Sequence, residues 1–428
     1  MAELQGRGLS ASPHAADSPR HTEASAELEA SWERRRQAAV RRKRRRRWLI
    51  AMVVVLALLS PGVYSYTRWM LRPTSMPVGV RSVEWARTQP GGNWLVDNIE
   101  HVYYSWKAPK KGGPQLTALP TVGETTPVAP SATGTHGKGA LKPAAQTAAW
   151  PPRIKPVFAH ALPGEGVWKA TGPPVDGGPP VLVTTFRPEL DYPRTVAYVA
   201  WFDQKRIAVA FYPGRYEPPN AVVRGPAMVP YGQRWRLLAT FNAGFTYKYG
   251  GNGSAINGRM NEPLQSGIAT LIGYRNGRLA IVKWDGGQNA PGVAWARQSL
   301  PPIVWNGRVN PKLDSSLKWG ETIGNTLRVW RTGVGIDRRG NLIFVAADAQ
   351  TVVSLAKILQ HAGAVRAMQF DINPYWHTLI TYRHHHGLVP TMVEPQPNHS
   401  AQRYLVPDDR DFFAVYRRLR GPITVPFK

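Results

Sequence analysis

The chain contains no cysteine. That excludes disulfides, thiolate metal sites and cysteine nucleophiles, and it removes redox chemistry as a guide to compartment. Acidic residues are scarce too, with 27 Asp and Glu against 54 Lys and Arg, so the formal net charge is +27 over 428 residues. A charge of that sign selects anionic neighbours. Nucleic acid, acidic lipid headgroups and phosphate-bearing cell-surface polymers all satisfy it. Long apolar runs are absent as well, with one exception.

That exception is Trp48 to Val63, WLIAMVVVLALLSPGV, an uncharged stretch that continues to Tyr64, Tyr66 and Trp69. About 20 apolar residues cross a bilayer, so 48–69 is expected to be a single transmembrane helix with aromatic ends. A cleaved signal peptide is the competing reading, and the long preceding region and the lack of an Ala-x-Ala site count against it. Residues 1–47 hold 12 Lys and Arg against 6 Asp and Glu and end in the basic run Arg41 to Arg47. They are expected to be a disordered basic tail in the cytoplasm, which places everything after residue 70 outside by the positive-inside rule. Topology thus accounts for the arginines, and nucleic acid is not expected as a partner.

Residues 70–106 carry Val83, Trp85, Trp94, Leu95, Ile99, Val102, Tyr103 and Trp106, interrupted at Pro90-Gly91-Gly92. Two short amphipathic helices fit this pattern, lying in the headgroup region or packed on the folded domain. The next segment, 107–150, is rich in Pro, Gly, Thr and Ala and reads as a linker whose reach, on the order of 35 Å, holds the following domain clear of the membrane. From 151 to 428 short β-rich runs bounded by Gly, Pro or Asn dominate, with helices expected only near 351–361 and 409–420. The fold class is therefore α+β, a mixed or antiparallel sheet domain with few helices, preceded by one transmembrane helix.

The most informative stretch is Val329 to Trp376. Arg331 opens a strand, Asp337-Arg338-Arg339-Gly340-Asn341 is a hairpin turn signal, and Leu342 to Ala346 is a second strand. Val352, Val353, Leu355, Ala356, Ile358 and Leu359 recur at helical spacing with Gly363 placed as a C′ glycine, after which Val365 to Phe370 forms a third strand that delivers Asp371. Pro374 lacks a donor and ends that strand. Upstream, Phe241-Asn242-Ala243-Gly244-Phe245 closes another β run.

This order resembles the phosphodiester glycosidase family, in which an Arg-Thr-x-x-Gly strand, an Asp-x-x-Gly hairpin, a short helix and a strand ending in Asp follow one another, with an Asn-x-Gly-Phe motif upstream. The resemblance covers roughly Gly164 to Phe413, and it implies hydrolysis of the bond between a sugar C1 and a phosphate oxygen. That chemistry needs donors to hold the departing phosphate and carboxylates to stabilise an oxocarbenium-like centre or activate water. Arg331 stands at the family's strand arginine and is the expected phosphate ligand, with Asn242 and Gly244 beside it. Asp371 is the expected catalytic carboxylate, Asp348 a second and Glu262 a third. The loop from Thr246 to Gln265, glycine-rich and holding Arg259 and Glu262, is long enough for a lid or binding loop. The family's glycine run after the strand-end Asp is replaced here by Ile372-Asn373-Pro374-Tyr375-Trp376, in which Asn373 and Trp376 suit a sugar platform. His384-His385-His386 reads as a solvated loop, since adjacent histidines point in different directions and metal sites draw on spaced ligands. Asp408-Asp409-Arg410-Asp411 reads as a helix N-terminus.

The expected function is a membrane-anchored, extracytoplasmic hydrolase acting on a sugar-1-phosphodiester of the cell envelope or an exopolysaccharide, with membrane lipid and an anionic glycan or sugar-phosphate as partners. The alternative is a catalytically inactive binding module for anionic cell-wall glycans on the same fold. The sequence requires no cofactor and leaves a divalent cation open.

Overall fold

The computed structural model describes residues 19–107, 110–122, 150–250, 253–287, 292–314, 319–320 and 328–419. Two units result, Met1–Leu71 and Arg72–Lys428. The first is one helix, α1 (Pro19–Met70), whose stretch from Leu28 holds an 18-residue window of mean hydropathy 2.0 with none of it buried. It is long and apolar enough to cross a membrane, and its place near the N-terminus is one that signal sequences share. The basic stretch before Trp48, which composition reads as disordered, is helical from Pro19 onward. Pro61 lies inside this helix and cannot donate to the carbonyl four residues back. The Ser60 hydroxyl does so instead, donating to the Ala57 carbonyl at 2.9 Å, so the apolar stretch keeps that backbone group satisfied.

The second unit opens with α2 (Val78–Arg87) and α3 (Gly92–Lys107), clasped by an Arg87–Asp97 ion pair of 2.8 Å. Its strands are β1 (Lys169–Ala170), β2 (Val181–Phe186), β3 (Ala197–Phe202), β4 (Ile207–Tyr212), β5 (Leu237–Asn242), β6 (Ser254–Ile256), β7 (Arg259–Glu262), β8 (Ala269–Tyr274), β9 (Leu279–Lys283), β10 (Val293–Gln298), β11 (Val304–Trp305), β12 (Arg308–Val309), β13 (Val329–Asp337) and β14 (Leu342–Gln350). Helix α4 (Val352–His361) follows, then β15 (Ala364–Gln369), β16 (Leu379–His384), β17 (Leu388–Met392) and β18 (Phe412–Arg417). They form an eight-stranded sheet ordered β1-β2-β3-β14-β13-β15-β11-β12 and two five-stranded sheets, β7-β6-β10-β8-β9 and β17-β16-β5-β18-β4. The pairings are antiparallel, and the class is α+β.

Strand β14 explains the layering. Leu342, Phe344 and Ala346 face the cluster shared with the five-stranded sheets, whereas Ile343, Val345 and Ala347 face the cluster that contains α4. Period-2 alternation with both faces apolar buries the strand on both sides. α4 is fixed at its start by a reciprocal cap: Ser354 N donates to Thr351 Oγ1 at 3.0 Å and Thr351 N to Ser354 Oγ at 2.8 Å. Its buried Leu355, Ile358 and Leu359 each contribute about 1.5–3 kcal/mol by leaving water. The hairpin before it is held by Asp337, whose Oδ1 accepts from the backbone amides of Arg339 and Asn341, both at 2.8 Å, with Gly340 at φ 87°.

Three expectations change here. The helix expected at 409–420 does not form over its described residues, 409–419, because the residues from Phe412 on are the central strand β18, paired with β4 on one side and β5 on the other, and five of its six residues are buried. The expected lid over 246–265 contains the β6–β7 hairpin, turned at Asn257 and Gly258 with φ of 53° and 75°. Nor are the described residues of 107–150 a free spacer, and 123–149 lies outside those residues. Leu116, Leu119 and Val122 pack against the main core, Trp150 packs against the α4 cluster, and Gly112 N donates to Asp191 O at 2.8 Å.

Candidate functional site

The ends of β5, β13 and β15 converge at one edge of the core. Strand β15 continues its pairing past Gln369, with Phe370 N donating to Thr332 O at 2.8 Å and Thr332 N to Asp371 O at 2.9 Å. The Thr332 hydroxyl also donates to Asp371 O at 3.1 Å and accepts from Asn242 Nδ2 at 2.9 Å. Asn242 is buried and its amide is occupied by the fold: Nδ2 also donates to Ala243 O at 2.8 Å, and Oδ1 accepts from Thr378 N at 3.0 Å. It joins β5, β13 and the loop after β15. Gly244 follows, and a Cβ there would meet Ser299 Cβ and Oγ at 2.8 Å, so the bend passes the β10 end only without a side chain.

Asp371 is 5% exposed. Its Oδ2 accepts from Arg410 Nη2 at 2.7 Å and its Oδ1 from Asn373 N at 2.9 Å. Burial pushes its carboxyl above the ordinary Asp range, against the pull of the Arg410 guanidinium. Glu217 feels that same guanidinium. It is half-buried, accepts from Tyr247 N at 3.0 Å, and burial raises its carboxyl, with Arg410 the leading opposing influence. One arginine thus stands among two carboxylates whose protons are held more tightly than in water, an arrangement suited to proton transfer beside an anion. Arg410 also donates weakly to Gly244 O at 3.4 Å, and its buried Nε has no hydrogen-bond partner.

Arg410 belongs to a set of arginine–aspartate pairs. Arg403 holds Asp408 at 2.9 Å, Arg215 holds Asp409 at 2.7 Å and Arg297 holds Asp411 at 2.7 Å. The acids ahead of β18 are therefore counterions to arginines rather than the cap of a helix. Arg297 and Asp411 are fully buried, and Tyr247 completes their cluster, its hydroxyl donating to Asp411 Oδ2 at 3.1 Å and its ring 4.1 Å from the Arg297 guanidinium carbon.

Of the expected residues, Asn242, Gly244, Asn373 and Asp371 come together around Arg410. Trp376 joins them, yet it is 5% exposed, with the guanidinium carbons of Arg410 and Arg403 at 5.1 and 5.3 Å from its ring and Met76 and Val80 packed on it. Arg331 is buried and directs Nε to Gln350 O at 2.7 Å and Nη1 to Gln369 Oε1 at 3.0 Å, and burial pulls its basicity down to about 10. Asp348 is exposed at the end of β14 and accepts from Ala349 N at 2.7 Å. Glu262 ends β7 and accepts from Asn220 N at 3.2 Å. Neither carboxylate is bonded to Asp371 or Arg410. Ile372, in the place of the family's first glycine, is buried with Phe245 and Leu300.

Beside the site, His377 stacks flat on Trp330, with ring centroids 3.9 Å apart and planes at 7°. Its Nδ1 is 3.6 Å from Glu394 Oε1, which accepts from Leu379 N at 2.6 Å, while Glu394 Oε2 is buried without a partner. Burial pushes the Glu394 carboxyl up to about 8 and the His377 imidazole down to about 3, so both are neutral at pH 7. Among the described residues no group of His, Asp and Glu is placed to hold a metal ion. His384 Nε2 lies 2.8 Å from Leu237 O, and His385 and His386 are exposed.

No curated protein matches the chain. Among solved structures it is similar to the zebrafish N-acetylglucosamine-1-phosphodiester alpha-N-acetylglucosaminidase catalytic domain, auto-inhibited by its pro-peptide, at 13% identity, covering 59% of this chain and 88% of that one with a TM-score of 0.37. A hypothetical protein from Synechocystis (13% identity, 57% and 64% covered, TM-score 0.33) and a putative exported protein from Burkholderia pseudomallei K96243 (10%, 52% and 74%, 0.29) are similar to it as well. The model of the family described as phosphodiester glycosidase matches residues 236–371. That segment, which runs from the threshold of β5 to the carboxylate paired with Arg410, is the part of the chain that matches the phosphodiester glycosidase family.

Proposed function

We propose that this protein is a membrane-anchored glycosidase that hydrolyses a sugar-1-phosphodiester of the cell envelope, with α1 as its anchor and the domain outside the membrane. The observation that carries the reading is the Asp371–Arg410 pair at the end of the family segment, with Glu217 facing the same guanidinium. Arg410 takes the departing phosphate, Asp371 aims Arg410 and stabilises positive charge at the sugar C1, and Glu217, less buried than Asp371, carries the proton. Arg331 and Asn242 act behind them by fixing the strand ends. The orientation rests on the arginine run ahead of Trp48.

A second reading, a binding module for anionic glycans, is favoured by one feature. Ile372, which is buried, and Pro374, which is half-buried, stand where converging glycine amides would cradle phosphate. The full chain in detergent micelles, assayed for sugar release from a panel of sugar-1-phosphodiesters, separates the two. Turnover that falls about 10²-fold or more in both Asp371→Asn and Glu217→Gln, groups asked to stabilise charge and move a proton, supports the enzyme. Binding of anionic glycan without turnover in the unmodified protein replaces it with the module.

A further inference from the structure

The chain that follows α1 is fastened to the rim of the candidate site. Arg72 donates to Tyr216 Oη, Arg215 Nη1 donates to Pro73 O at 3.0 Å, and Ser75 Oγ lies 3.2 Å from His399 Nδ1. Met76 and Val80 are buried against Trp376, with Tyr375 beside them. Arg81 stiffens the strap from within, its Nε donating to Met76 O at 2.7 Å and its Nη2 to Thr74 O at 3.0 Å. Each partner adjoins a site residue: Tyr216 precedes Glu217, Arg215 pairs with Asp409 next to Arg410, and the Trp376 ring lies beside the Arg410 guanidinium.

The strap starts at the end of the apolar helix. Only Leu71 to Ser75 separate Met70 from Met76, and six residue steps of extended chain span at most about 20 Å. The unit fastened there also exposes apolar side chains on α3, where Leu95 (51% exposed), Ile99 (60%) and Val102 (67%) recur at helical spacing beside Trp94 (71%). Such a face matches the boundary between headgroups and acyl chains.

We infer that the site takes a phosphodiester carried by the membrane itself, a sugar joined through phosphate to a lipid, rather than a soluble polymer. The inference rests on the glycosidase reading above and on α1 as the anchor. A tether this short confines the site to the layer where lipid headgroups lie, raising the effective concentration of a substrate in the same bilayer and doing nothing for one in solution.

The test uses the full chain reconstituted in phospholipid vesicles and two probes with the same sugar-1-phosphate, one esterified to a long-chain lipid in those vesicles and one to a short water-soluble alcohol. A variant carries about 20 Gly and Ser residues inserted between Leu71 and Arg72, enough to lengthen the tether by roughly 25 Å. The expected result is cleavage of the lipid-borne probe that drops at least about threefold on insertion, with the soluble probe's rate unchanged. Rates on both probes that are indifferent to the insertion overturn the lipid-borne substrate and leave the glycosidase reading standing. Cleavage of neither probe overturns both, and failure of the protein to float with the vesicles overturns the anchor on which the inference depends.

Discussion

Glu394 offers a quantitative test of the interior beside the site. Between about pH 4.5 and 8 the unfolded chain has released the Glu394 proton while the folded chain keeps it, so rising pH favours unfolding by about 1.36 kcal/mol per unit. Between about pH 3 and 6.5 the unfolded chain binds a proton at His377 that the fold excludes, so rising pH there favours folding. His399, whose imidazole burial also pushes down, acts in the same direction as His377. Above pH 6.5 these histidine contributions are spent, and the Glu394 contribution, isolated by comparison with a variant that lacks its carboxyl, amounts to about 2 kcal/mol from pH 6.5 to 8. Glu394→Gln keeps an acceptor for Leu379 N and is neutral at every pH. Thermal unfolding of the full chain in micelles, followed by tryptophan fluorescence at half-unit steps from pH 6 to 9, should show the unmodified protein falling relative to the variant by about 3 °C over that window. Parallel curves would refute the argument, because they would mean that Glu394 is already ionised in the folded state.

Further outcomes follow from particular contacts. Gly244→Ala should cost about 1–3 kcal/mol of stability, since its Cβ would press on Ser299, and adding Ser299→Gly should restore most of the loss in the same melting assay. Asp411→Asn leaves the buried Arg297 charge without its counterion and should cost about 3–5 kcal/mol, whereas Arg297→Met combined with Asp411→Leu should cost less than the single change. Thr351→Ala removes one half of the α4 cap and should lower stability by about 1 kcal/mol, with the loss seen as faster hydrogen exchange in the first turn of that helix.

The stretch from Arg331 to Asp371 was legible because its signals are local. Asp337 to Asn341 closes a turn by its own side-chain bonds, Thr351 and Ser354 cap a helix three residues apart, and Gly363 at φ 101° ends it. The segment ahead of β18 was not. Its acids look like helix-capping residues until their partners are known, and Arg297 and Arg215 lie 114 and 194 residues away. Phe412 to Tyr416 lacks polar alternation because a central strand is buried on both faces. Glu217 sits in a loop without pattern, and nothing near Ser75 announces His399, 324 residues further on. The Asn257-Gly258 turn was there to be read, and the many glycines around it concealed a hairpin.

The docking of residues 110–122 onto the same core as the strands changes what covalent continuity means for this chain. Segment 123–149 joins two points, Val122 and Trp150, that are each already packed on the domain. The piece up to Val122 is therefore held to the strands by burial as well as by the chain.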